Sequence, residues 1–162
     1  MRKTILLFII FCNLFYGQNT PINLSLGGMI SPSKSYGGLW ELNHITNNEN
    51  SADFELNIQY LHYVIQRDTG GFRVNAINLF VGPKFDFISK NNCKLWTNIL
   101  IGLNINNIPL PNPDLSSSKI AINIAKLGGN VGLYFQNHNT IYGIGYQSPI
   151  GFLTLKVGKI VN

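Results

Sequence analysis

Charge is scarce in this chain. Charged residues make up 12% of its 162 positions, where an ordinary soluble domain carries about 25%. A soluble β-protein needs Lys and Glu on its outer face, so the shortage argues against one. Cysteine is nearly absent, with only Cys12 and Cys93, which excludes a disulfide framework and a cysteine-based zinc site. Past the first residues no apolar run approaches the roughly 20 residues of a spanning helix. The catalytic signatures are missing too. The three histidines, His44, His62 and His138, have no zinc spacing, and there is no G-x-S-x-G elbow. Gly128-Gly129-Asn130-Val131-Gly132 is not followed by a helix pattern, so it reads as a barrel bend and not as a phosphate cradle. The excess of cations, 12 Lys and Arg against 7 Asp and Glu, is too scattered for a nucleic-acid partner.

The first residues differ from the rest. Met1-Arg2-Lys3 is a cationic head, and Ile5 to Phe11 is almost uninterrupted Ile, Leu and Phe. That is the layout of a secretory signal, and the run breaks at Asn13, too early to span a membrane. Cleavage after Gly17 divides the chain into a signal peptide, 1–17, and a single domain, 18–162. Cys12 follows the bulky Phe11, unlike a lipidation site. Loss of Arg2 and Lys3 lowers the net charge from +5 to +3. Cys93 then remains alone, so no disulfide within the chain is expected.

What the chain has in abundance is alternation. Leu95, Thr97, Ile99, Ile101, Leu103 and Ile105 interleave with Trp96, Asn98, Leu100, Gly102, Asn104 and Asn106. Successive side chains of a strand point to opposite faces, so this segment has one apolar face and one polar, small-residue face. The pattern recurs and predicts eight strands: Ile22–Ile30, Tyr36–Ile45, Asp53–Gln66, Phe72–Ile88, Cys93–Asn106, Ile120–Phe135, Thr140–Gln147 and Ile150–Val161. Asn, Ser, Gly and Pro clusters separate them, with Asp68-Thr69-Gly70-Gly71 a strong hairpin signal. Pro83 is expected to bend the fourth strand at Gly82.

The fold expected is all-β: an eight-stranded antiparallel up-and-down transmembrane β-barrel. A narrow barrel needs small inward residues, and Gly102, Gly132, Gly143, Gly145 and Gly158 fall on the less apolar face. Glu41, Glu55, Arg73 and Lys156 share that face, and a lumen polar network of these four is expected, as mutually neutralising groups and not as a catalytic cluster. A water-soluble barrel would invert the two faces. Tyr36, Trp40, Tyr60, Tyr63, Phe85, Phe87, Tyr142 and Tyr146 fit interfacial girdles, although aromatics also favour any strand. By loop parity, Ile108–Lys119 is an external loop. Its residues Pro109, Leu110, Pro111, Asn112, Pro113 and Asp114 are the candidate interaction surface. No catalytic residue, metal ligand or cofactor is expected, and the protein is not expected to be an enzyme.

From Tyr36 onward the order of these signals resembles the conjugal transfer protein TraO family of Bacteroidetes conjugative transposons. The Gly-rich second strand and its Asn-rich turn lead into FELNIQYLHYV. Then FRVNAINLFVGPKFDFISKNN resembles that family's long fourth strand, LWTNILIGLNI its fifth, and LTLKVGKIVN its closing strand. The resemblance covers about Ile22–Asn162. It implies an outer-membrane component of a DNA-transfer apparatus that works through outer-membrane lipid and other envelope proteins, without binding nucleic acid and without catalytic residues. The alternative expectation is a stand-alone outer-membrane barrel serving adhesion, membrane stability or solute passage.

Overall fold

A computed structural model describes residues 22–32, 34–46, 53–67, 70–90, 93–110, 120–149 and 151–161. The expected signal segment and cleavage site lie outside the described residues. Eight strands follow one another: β1 (Ile22–Ile30), β2 (Tyr36–Thr46), β3 (Asp53–Arg67), β4 (Gly70–Lys90), β5 (Cys93–Leu110), β6 (Ile120–Asn137), β7 (Thr140–Ser148) and β8 (Phe152–Val161). Each pairs antiparallel with the next, and β1 closes on β8 from Ile22↔Val161 to Ile30↔Leu153. Closure leaves no sheet edge around the waist of the barrel, so every backbone polar group there has a partner within the protein.

Alternation decides which face each residue takes. On β5, Leu100 is 2% exposed and Ile101 is 65% exposed. The outward rows carry Leu24, Leu26, Leu79, Val81, Ile99, Ile101, Val131, Leu133, Leu155 and Val157, all exposed. A surface this apolar around the whole circumference suits hydrocarbon and not water. Tyr36, Trp40, Tyr60, Phe85, Phe87, Tyr142 and Tyr146 lie outward among them. Tyr63 does not. It is buried in the lumen, because it shares the inward parity of Leu61, and its hydroxyl donates to Asn106 Oδ1 at 3.0 Å.

The strands are unequal. At the near end, where β1 begins and β8 finishes, β4 and β5 run on past the start of β3 at Asp53↔Lys84 and pair as far as Lys90↔Cys93. At the far end β3, β4, β5 and β6 overrun their neighbours. β4 stops pairing with β5 at Asn107, and β7 stops pairing with β6 at Gly129. Beyond those points β5 and β6 continue alone as a two-stranded arm, ending at Leu110↔Ile120.

Two prolines fall within strands, and one of them, Pro109, departs from expectation. At Pro83 β4 continues without ending: its ladder to β3 runs through Phe54↔Pro83, while its ladder to β5 lapses between Val81↔Ile101 and Lys84↔Asn98. The residue that cannot donate sits where donation lapses. Gly82 beside it allows β4 to press on β5, since a Cβ there would overlap the Ile99 carbonyl. Pro109, expected in a loop, is part of β5 and pairs with Ala121, as Leu110 pairs with Ile120. It is tolerated because β5 has lost β4 by that point and Pro109 stands on a free edge. The loop is therefore shorter than the sequence suggests. Pro111, Asn112, Pro113 and Asp114 lie outside the described residues.

Candidate functional site

The lumen is built in three layers. Toward the far end Met29, Leu39, Leu61, Tyr63, Val74, Ala76 and Phe152 form an apolar plug, with Tyr63 edge-on to Phe152 at 5.0 Å between ring centroids. Toward the near end Trp96, Tyr134 and Ile141 form a second one, with Trp96 stacked on Tyr134 at 5.3 Å. Between them lies a polar layer.

Glu41 and Lys156 are the centre of that layer. They form a direct ion pair with both side chains essentially without solvent contact. Lys156 Nζ also donates to the Tyr134 hydroxyl at 2.9 Å. The ring of Tyr134 occupies space left by two glycines. A Cβ on Gly132 would meet it at 2.5 Å and one on Gly143 at 2.8 Å. Small residues on β6 and β7 thus admit the aromatic ring that supports the lysine.

An ionised carboxylate only accepts hydrogen bonds, and that single fact orients a chain of amides. Gln59 Nε2 donates to Glu41 at 2.7 Å, so its oxygen is left to accept from Asn78 at 3.1 Å. Asn78 then accepts from Asn104 at 2.6 Å, and Asn104 accepts from Asn106. Tyr63 donates to Asn106 and closes the series. On the other side Asn43 donates to Glu41 at 2.9 Å and accepts from Asn57. Every donor points toward Glu41. Asn130, Gln147 and Thr154 complete the layer on the β6–β8 side, buried and without a hydrogen-bond partner among the described residues.

The four residues expected to share a lumen network do not all meet. Glu41 and Lys156 pair. Glu55 is in the lumen but separate from that pair, accepting from Asn98 Nδ2 at 2.9 Å. Arg73 is outside. Val74, Ala76, Asn78 and Phe80 hold the inward positions of β4, so Arg73 falls on the opposite parity and is exposed on the outer face. Sequence reasoning missed a second ionic group at the near end. Lys84 lies 2.5 Å from Asp86 and 3.4 Å from Asp53, with its Nζ 5.5 Å from the Trp96 ring centroid. It also missed the asparagine chain, whose members alternate visibly along β5 but whose partners depend on strand register.

Between the two apolar plugs Glu41 and Lys156 neutralise one another, while Glu55 is held by Asn98. Among the described residues no group of three His, Cys, Asp or Glu side chains is placed to hold a metal ion.

No protein-family model matches the sequence, and no curated protein sequence matches it. Solved structures do match the fold. The N-terminal β-barrel domain of Pseudomonas aeruginosa OprF is 18% identical with a TM-score of 0.61, over 89% of this chain and 98% of that one. The Yersinia pestis outer membrane protein Ail is 14% identical with a TM-score of 0.54, over 88% of this chain and 100% of its own. A designed transmembrane β-barrel is 8% identical with a TM-score of 0.58, over 87% and 95% of the two chains. The chain has the fold of a small eight-stranded outer-membrane β-barrel. A shared fold does not by itself assign an activity.

Proposed function

We propose that this protein is a non-conducting, non-enzymatic outer-membrane barrel that works by contacts at its far end, as a structural component of a conjugative DNA-transfer apparatus. The observation that carries the contact reading is the filled lumen. Two apolar plugs and a neutralised polar layer leave neither a channel nor an accessible reactive group, so function falls to the surface. The far end is the overgrown one, and outer-membrane barrels carry their longer loops outside the cell. The segment 111–119 at the tip of the β5–β6 arm is then the working surface, contacting other envelope proteins. The resemblance to the TraO family supplies the transfer context.

Replacing 111–117 by a short Gly/Ser turn is expected to leave the barrel folded and to lower conjugal transfer. A folded variant with full transfer would remove the arm from the function. An epitope tag in the same segment should be reachable on intact cells, and a tag seen only after permeabilisation would reverse the orientation.

A second reading is a stand-alone barrel in adhesion or membrane stability. It is favoured by the likeness in fold to Ail, which is itself described as an attachment invasion locus protein. Deleting the gene separates the two readings: loss of transfer with normal adhesion and envelope resistance supports the first, and the converse supports the second.

A further inference from the structure

The outer face of β3 and β4 breaks the apolar belt in a specific way. Asn75 Oδ1 accepts from the Tyr60 hydroxyl at 3.1 Å and from the His62 Nδ1–H at 2.7 Å. All three side chains are exposed on the side where lipid chains lie. With its oxygen held by two donors, Asn75 turns its NH2 group outward. Arg73, two residues away on the same outward row, is exposed as well. Two kinds of donor, one of them a permanent cation, thus face outward together. Asp53 and Asp86 share the inward parity of Lys84 at the near end and are engaged with it, so among the described residues no acidic side chain stands on the outer face. The far-end patch is therefore cationic and matched to an anion.

The register places an apolar groove beside this patch. One row across the sheet reads Leu155, Gly28, Gly38, His62, Asn75. Leu26, Trp40 and Tyr60 form the row on the near side, and Ile30, Tyr36 and Val64 the row on the far side. A Cβ on Gly28 or Gly38 would meet no atom closer than 3.8 Å, so the two glycines lower the surface between bulky neighbours. From Gly28 an apolar groove of about 600 Å³ runs toward the near end between Leu26, Leu155, Val157, Ile144 and Tyr142. The polar patch is thus continuous with an apolar channel on the lipid face.

We propose that this surface is a binding site for a phosphate-bearing lipid. The phosphate sits on Arg73 and the Asn75 amide, with Tyr60 and His62 fixing that amide, and an acyl chain crosses Gly38 and Gly28 into the groove. Arg73 supplies charge and a planar fork of N–H groups suited to phosphate oxygens. The glycines supply room for the chain that a free phosphate would not need.

The test uses the full barrel in nanodiscs of phosphatidylcholine with and without phosphatidate, followed by native mass spectrometry of lipid retained by the released protein. Wild type is expected to retain phosphatidate over phosphatidylcholine. Arg73→Gln is expected to reduce that retention about tenfold, while Lys159→Gln, an exposed cation at the near end, leaves it unchanged. Gly38→Leu fills the low ground between the patch and the groove and is expected to lower retention with Arg73 intact. Folding of each variant is checked by its heat-dependent gel migration. Retention unaffected by Arg73→Gln, or lowered equally by Lys159→Gln, overturns the site. Displacement of phosphatidate by inorganic phosphate at equal concentration overturns the lipid as ligand and assigns the patch to soluble phosphate.

Discussion

Glu41 sets the chemistry of the lumen. Removing the cation opposite it strands a carboxylate in a space without solvent, whereas removing both charges does not. Lys156→Met is therefore expected to cost about 3–5 kcal/mol, and the pair Glu41→Gln with Lys156→Met to recover most of that loss. Urea unfolding in lipid vesicles measures both, and equal midpoints for Lys156→Met and wild type would dismiss the ion pair as a stabilising element. Outward positions follow a different rule, because the cost of a charge depends on depth. Ile101→Arg, in the middle of the apolar belt, is expected to cost about 2–4 kcal/mol, and Val161→Arg, at the end of β8, about 0–1 kcal/mol. The fraction of folded barrel by gel migration checks the order, and a larger loss at Val161 would misplace the belt. At this scale the sequence was partly legible. Glu41 and Lys156 are polar residues on inward parity and could be found from alternation. Arg73 could not, because Phe72-Arg73-Val74-Asn75 has polar residues on one parity where the belt gives way at its edge, and the lone arginine reads as lumenal. Tyr63 was misassigned for the opposite reason: an aromatic near a strand end fits a girdle and a plug equally well, and only the inward run Leu61–Tyr63 decides between them.

Strands were the most legible elements. The bounds read for β1, Ile22–Ile30, are those observed, because strict alternation ends there at a Ser-Pro-Ser-Lys-Ser turn. The misjudged element is β5, where proline looks like an ending. Alternation cannot show that Pro109 stands on a free edge, since that depends on where β4 stops beside it. The arm makes its own prediction. Its strands bond only to each other beyond Asn107 and Gly129, so the barrel wall does not depend on its tip. Joining Asn107 to Asn123 by a short turn is expected to change the unfolding midpoint little. A barrel that fails to form would show instead that the arm helps to close the lumen.

At the scale of the whole molecule, the described residues fill the lumen with an apolar cluster toward each end. In planar bilayers the purified protein is expected to give no conductance steps, and regular steps would contradict the filling of the lumen by Tyr63, Phe152, Trp96 and Tyr134. Strand number was readable in advance from the turn clusters between alternating segments, and facing from the two-residue period at most positions, Arg73 and Tyr63 excepted. The order of bonds inside was not, because it depends on register, and register is a relation between strands. The directed amide chain has a consequence for how such a barrel is put together. A strand that slips by one residue exposes its polar face to lipid and is rejected at once. A slip by two residues keeps both faces correct and is invisible to the membrane. It does, however, move Gln59 away from Glu41 and Asn104 away from Asn78, so the hydrogen bonds of the present register are lost. The string of amides bonded to one carboxylate thus belongs to a single register, and its loss sets that register apart from a two-residue slip that hydrophobicity cannot detect.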